Sequence, residues 1–579
     1  MPAYVPPGRR QAGGDAKEDA PAPSRGGKGE GRGDGEGRGE GRGEGRGEGR
    51  GETRKSAVAA GGGGNWAHRQ DGRRGGGEER TEIEVFGEVK QRSTAGIDFD
   101  NYDAIPVQIT GNNVQDIKPI ARFSEGRLTE SLFDNLRRCG YERPTPVQKH
   151  SIPIVVGGRD LMACAQTGSG KTCAFMVPCL ESLLRSGPPP PQGGGGRRPR
   201  PMPCGLVLAP TRELAAQIHV ESSKFSFDTG IRCCIIYGGA DMREQRMDLD
   251  KGCDILIATP GRLTDMSDRN NVSLELVQFF ILDEADRMLD MGFEPQVRQI
   301  VERTNLGRSS AFPRQSMMFS ATFPREVQHM AQDFLQDYVF ITVGRVGAAA
   351  ETVKQHVVYA GDVKQKTREL ERSVKEYLPK DGLAVIFVET KRAADTLELD
   401  LYNGGVAVTA IHGDRSQSQR EEALKAFKSG ECPVLVATDV AARGLDIPNV
   451  ALVINFDMPK QLDDYVHRIG RTGRAGRKGV AVAFVNERCN YLPDLGDLLV
   501  EAKQDPPAWF SDLCAQAVRR PGGKGERGSK FGGQDLRMEQ AANEAKTPGA
   551  VPTPQRSVGG SAPARGPNSY GQSGLEDSW

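Results

Sequence analysis

At 579 residues the chain has room for several domains, and its 77 basic residues are balanced by 77 acidic ones. Net charge therefore argues neither for nor against a nucleic-acid partner, whose binding surface can be local. No apolar run approaches the ~20 residues of a membrane span and nothing resembles a secretory signal, so no membrane role is expected. The eleven cysteines stand singly apart from Cys233-Cys234, with no Cys-x-x-Cys and only seven scattered histidines, which argues against a zinc site and for an intracellular, reducing compartment.

Taken in chain order, the first segment is rich in Gly, Arg and Glu and poor in large apolar residues, with Gly-Glu-Gly-Arg recurring from Gly29 through Arg50. Such a composition cannot bury enough surface to offset chain entropy, so residues 1–118 are expected to form a disordered tail. The Glu residues neutralise the Arg residues of the repeat; Arg25-Gly26-Gly27 and Arg74-Gly75-Gly76 could touch RNA by guanidinium stacking or serve as solvated spacer. Residues 511–579, again Gly-, Pro- and Ser-rich, are expected to form a second disordered tail.

Between the tails, short β-branched runs alternate with amphipathic stretches, the pattern of an α/β parallel sheet flanked by helices. In residues 119–345 the strand candidates are Asp160–Ala163, Gly205–Leu208, Asp254–Ile257, Phe279–Leu282 and Met317–Phe319. Each leads into a motif, and ligands of open α/β sheets gather at the carboxyl ends of strands. Pro188–Pro203, rich in Pro, Gly and Arg, reads as a surface loop. The two halves join near Gly344–Gly347, and residues 346–510 repeat the design with Ala384–Val388, Val406–Ile411, Val434–Val436, Ala451–Ile454 and Val480–Phe484.

Two motifs carry the chemistry. Ala165-Gln166-Thr167-Gly168-Ser169-Gly170-Lys171-Thr172 is a Gly-rich phosphate loop, although its first position holds Ala where Gly is usual. Its N–H groups can cradle phosphates, Lys171 can reach the β/γ oxygens and the Thr172 hydroxyl can ligate Mg²⁺. Asp283-Glu284-Ala285-Asp286 ends a mostly apolar run and supplies carboxylates where a metal (Asp283) and an attacking water (Glu284) need them. Together they describe an ATPase site. The second half has no Gly-Lys-Thr loop of its own, so it is expected to complete a shared site.

The ordered set, from about Phe123 to about Phe510, resembles the DEAD-box RNA helicases, to which the acidic quartet gives its name. The resemblance implies two tandem RecA-like domains, ATP and Mg²⁺ as cofactors, and RNA, mRNA included, as a partner. Phe123 and the segment containing Tyr141, Arg143, Pro144, Thr145 and Gln148 resemble the family's adenine-selecting Gln motif: an amide can match the adenine edge, and an aromatic can stack on the base. The family pattern makes Arg471 and Arg474 arginine fingers and sets Gly444 and Asp446 beside the ribose. It makes Asp286, Ser320, Thr322 and His467 a coupling link, with Asp283 meeting the metal through water. Arg468 and Arg477 read instead as solvated or nucleic-acid-facing.

RNA backbone is expected against Pro210, Thr211, Arg212, Gly238, Gly239, Thr259, Pro260, Gly261 and Arg262 in the first half. In the second half the candidates are Thr390, Gly413, Gln417, Arg420, Thr438 and Gly444. Glycines allow close approach, hydroxyls and helix N-termini donate to phosphate, and Arg pairs with it, with little sequence information. Tyr4-Val5-Pro6-Pro7, Phe531-Gly532-Gly533 with Asp535 and Arg537, and Asp577-Ser578-Trp579 resemble the tails of the subfamily acting in translation initiation. That likeness implies initiation factors or ribonucleoprotein components as tail partners and a cytoplasmic place, with RNA granules and nuclear shuttling open. An ATP-gated RNA clamp or scaffold for granules remains the alternative function.

Overall fold

The computed structural model describes residues 81–87, 105–166, 168–188, 200–305, 314–344, 352–439, 450–473 and 478–518. Residues 1–80, 88–104 and 519–579 of the expected tails, the Pro/Gly insert at 189–199, the join at 345–351, and Thr167, Gly444, Asp446, Arg474 and Arg477 lie outside the described residues.

The first sheet holds β1 (Val107–Thr110), β2 (Leu161–Cys164), β3 (Gly205–Leu208), β4 (Cys233–Ile236), β5 (Ile255–Ala258), β6 (Phe279–Leu282), β7 (Gln315–Ser320) and β8 (Val339–Val343). Their order is β1-β8-β2-β7-β6-β3-β5-β4, parallel except for β1 against β8. The second sheet holds β9 (Val353–Tyr359), β10 (Leu383–Val388), β11 (Val408–Ile411), β12 (Val434–Thr438), β13 (Val450–Asn455) and β14 (Gly479–Val485). It runs β11-β12-β10-β13-β14-β9, parallel throughout. These are two RecA-like α/β domains.

Central strands β2, β3, β6 and β10 are apolar at every position because helices cover both faces of a parallel sheet. Period-two alternation then sorts their side chains. Leu161, Ala163, Val207, Ile281 and Phe319 enter the core on one face. Met162, Cys164, Leu206, Leu208, Leu282 and Met318 enter the core on the other.

Both domains reach beyond the boundaries expected from sequence. β1 lies upstream of residue 119 yet pairs Val107 with Val343. The final helix, Ala508–Val518, passes residue 510 and packs Phe510 and Leu513 into the second domain's core. Further upstream, Thr81 caps a short helix, Glu82–Phe86, whose Phe86 ring meets Phe227 edge-on at 5.3 Å.

Candidate active site and nucleic-acid interface

β2 ends at Cys164 and the chain turns through the phosphate loop into the helix Lys171–Ser186. Gly168 (φ +79°) and Gly170 (φ +85°) take the left-handed conformation that the tight turn requires. The loop is anchored from the Gln-motif side. Thr145 Oγ1 donates to the Ser169 carbonyl at 2.7 Å, and Gln148 Nε2 donates to the Gly170 carbonyl at 3.0 Å. Gln148 Oε1 accepts from the Thr145 N–H at 2.9 Å, closing a capping box on the helix Pro146–Val156. Gln148 is fully buried, so its amide here braces the phosphate loop.

Of the aromatic members of that segment, Phe123 belongs to the core and Tyr141 is half-buried against it. Phe123 is buried and meets Tyr141 edge-on at 6.3 Å, while the Tyr141 hydroxyl donates to Glu221 at 3.2 Å. Burial, helped by Glu221, pushes the Tyr141 phenol well above its usual range. Pro144 is buried, and Arg143 is exposed.

Adjacent strand ends bring the remaining groups to the loop. The Ala165 N–H donates to the Ser320 carbonyl at 3.0 Å and the Asp283 N–H to the Leu208 carbonyl at 3.1 Å. Lys171 is buried, its Nζ donating to the Ala165 carbonyl at 3.1 Å, and Thr172 follows it on the first helical turn. Burial raises the Asp283 carboxyl to about 7, against the pull of Lys171. Glu284 is buried at φ +51°, an uncommon conformation for a non-glycine residue, and its Oε2 has no hydrogen-bond partner. Ser169 Oγ and Ser320 Oγ are likewise buried without partners. Orphaned acceptors and hydroxyls beside an ammonium and a helix N-terminus fit a phosphate chain with Mg²⁺. Thr172 and Asp283 would hold that metal.

Asp286 is the hub between domains. Its Oδ2 accepts from the Thr322 N–H at 3.1 Å and the Thr322 hydroxyl at 2.8 Å, and lies 3.3 Å from His467 Nε2 of the second domain. Burial would raise this carboxyl, but His467, Arg287 and Thr322 outweigh it and hold it far below the usual range. Arg287 pairs with Asp464 across the same seam. Nearby, Arg420 meets Glu213 at 2.5 Å and Arg212 Nη1 donates to Gln417 at 3.3 Å. Arg471 sits on the next turn after His467, buried, with Nε donating to the His467 carbonyl at 3.2 Å.

Arg468 corrects the sequence expectation. It is buried, neither solvated nor nucleic-acid-facing. Its guanidinium grips Asp439 with two bonds of 2.5 and 2.6 Å, donates to Asn455 at 3.1 Å and lies over the Phe387 ring at 5.0 Å. Arg468 directly follows His467, and residues i and i+1 of a helix point to different sides, so His467 faces the seam while Arg468 turns into its own domain.

The RNA candidates gather at strand ends and helix starts. Pro210 and Thr211 follow β3, and Thr211 caps the helix Arg212–Phe225 by accepting from the Leu214 N–H. Thr259 and Pro260 start the helix Pro260–Asp268, with open space around Gly261, while Arg262 braces Gln245 and the Ala240 carbonyl. Gly238 and Gly239 lie against the Arg212 guanidinium, which a side chain on Gly239 would strike at 2.3 Å. In the second domain Thr390 caps the helix Lys391–Asn403, Gly413 follows β11, Gln417 and Arg420 lie on the helix Gln417–Lys428, and Thr438 ends β12. Glu213 and Asp464 had no sequence signal marking them as cross-domain partners.

Residues 145–330 match the DEAD/DEAH box helicase family, and residues 365–476 match the helicase conserved C-terminal domain. Among solved structures, S. cerevisiae Dbp5 bound to RNA and ADP BeF3 is 27% identical, with a TM-score of 0.56, over 69% of this chain and 99% of that one. Mss116p bound to ssRNA and AMP-PNP is 28% identical, with a TM-score of 0.57, over 70% of this chain and 83% of that one. The yeast DEAD-box splicing factor Prp28 is 33% identical over 74% of this chain and 94% of its own, with a TM-score of 0.40. With both helicase domains matched in order around the Asp-Glu-Ala-Asp quartet, the chain belongs to the DEAD-box family of ATP-dependent RNA helicases.

Proposed function

We propose that this helicase hydrolyses ATP between its two domains while holding RNA backbone across both, and that it acts on mRNA in translation initiation. The observation that carries the catalytic reading is Glu284, a buried, strained carboxylate with an unpartnered oxygen directly after Asp283. Glu284 takes the proton of the attacking water. Lys171 and the N–H groups at the start of its helix hold the terminal phosphates. Mg²⁺, held by Thr172 and Asp283, supplies positive charge to the phosphoryl oxygens when bound. Arg471 and Arg474 add planar donors to the transferring phosphoryl group once the domains close. Gln148 transmits adenine occupancy to the loop through its bond to Gly170. Gly444 and Asp446 meet the ribose.

ATP and RNA each favour the closed pair of domains, so their binding is coupled. Arg212 and Arg420, already held at the seam, would exchange Gln417 and Glu213 for phosphate. Contacts of this kind read backbone and are salt-sensitive. The initiation role rests on the tail segments that resemble that subfamily. RNA-stimulated ATPase and strand-displacement assays test the enzyme: ATPase without displacement would favour an RNA clamp. Initiation on a structured leader, with and without the protein, tests the cellular role.

A further inference from the structure

Away from the ATP seam, the second domain carries a cleft of about 560 Å³ whose floor is the outer edge of β9. Among the described residues β9 pairs only with β14, which leaves its other edge open. The Ala360 N–H just beyond it points inward to the Val485 carbonyl, whereas the Gln355 N–H points outward and is capped by Gln504 at 3.0 Å. Alternation along a strand then turns the backbone groups of Val357 and Tyr359 outward as well. Among the described residues nothing bonds them. The helices Val363–Tyr377 and Ala508–Val518 stand over opposite faces of the strand and form the cleft walls.

Those walls are aromatic and acidic. Tyr359 (44% exposed) meets Trp509 (37% exposed) edge-on at 6.0 Å, and His356 stacks on Tyr377 at 4.9 Å. Glu369, Glu376 and Glu487 line the cleft against one cation, Arg372, whose contacts to Glu369 and Glu376 are long, at 3.9 and 3.7 Å. An exposed strand edge is a template for another strand, and an acidic rim selects a cationic one.

We propose that this cleft docks an extended, Arg- or Lys-bearing peptide segment of a partner protein, added as a strand alongside Val357 and Tyr359. Main-chain bonds to β9 give the affinity; the carboxylates and the Trp509 face select alternate basic side chains. Docking there leaves the ATP seam free.

The test uses the full chain and a capped peptide of alternating Arg and Val, with amide hydrogen exchange and Trp509 emission as readouts. The expected result is exchange at Val357 and Tyr359 slowed about tenfold or more, and affinity falling about tenfold in Glu369→Gln/Glu487→Gln, with ATPase unchanged. A peptide with Pro in place of Val keeps the charge and loses the donors, and should bind at least about tenfold more weakly. Equal binding of the Pro peptide, or of a Glu/Val peptide, overturns the proposal. Slow exchange at Val357 and Tyr359 in the free protein overturns it too: independent of concentration it assigns the edge to the chain's own tail, and rising with concentration to a second copy. An RNA oligonucleotide that alone protects these amides assigns the cleft to RNA instead.

Discussion

Gly170 shows how closely the nucleotide end is built. At φ +85° a side chain is already strained, and a Cβ there would lie 2.3 Å from Gln148 Nε2. The amide could not move without releasing the Gly170 carbonyl or the Thr145 cap. Gly170→Ala should therefore weaken ATP binding about tenfold or more while leaving cooperative unfolding intact, which nucleotide titration beside a thermal melt would reveal. Glu284 makes the complementary case. Glu284→Gln keeps the shape of a buried side chain but cannot take a proton, so turnover should fall by about 10²-fold or more while ATP and RNA affinities hold. Hydrolysis within a few fold of the parent would remove Glu284 from the role of base.

At the scale of elements, what was legible was whatever carried both an apolar run and a motif. Phe279–Leu282 and Gly205–Leu208 were read from sequence with the bounds the structure gives, because a strand buried on both faces is a short, unbroken apolar run. β8 and β9 lead into no chemical motif, and β9 alternates buried with exposed positions as an edge strand does. The seam was legible only in part. Asp286 and His467 were marked by their motifs; Glu213 and Asp464 look like ordinary helix acids until the domains meet. The Glu213–Arg420 pair is nearly buried, and removing one partner of such a pair strands a charge at a cost of about 3–5 kcal/mol. The open state re-solvates both groups, so the penalty falls on closure. Arg420→Glu should reduce closure with an ATP analogue, read as transfer between dyes on the two domains. Adding Glu213→Arg should restore closure in part without restoring RNA affinity, since the second domain still lacks its cation. No recovery would make the pair incidental to closure.

For the whole molecule, the smallest competent unit follows from where packing ends. Phe86 is 7% exposed against Phe227, whose ring also carries Arg138 at 5.7 Å. Asn135 ties the same region together by donating to the Phe225 and Phe227 carbonyls at 3.0 and 2.6 Å. At the other end the helix Ala508–Val518 lays Cys514 against the Leu492 carbonyl and Phe510 into the core. Composition alone puts the tail boundaries at residues 118 and 511, since a lone Phe in a polar stretch gives no periodic signal. A fragment of residues 81–518 should keep full RNA-stimulated ATPase. A fragment of residues 90–515 should lose the burial of Phe86, about 1.5–3 kcal/mol, and fray the last helix. Its first-domain melting transition should fall by roughly 3–12 °C. Equal melting of the two fragments would make the Phe86 contact energetically idle. Both fragments lack the segments carrying Tyr4 and Trp579, aromatics suited to short-motif docking. Each should therefore bind initiation factors less well than the full chain in a pulldown while its ATPase survives. A fragment of residues 81–518 without ATPase would place part of the catalytic unit in the tails.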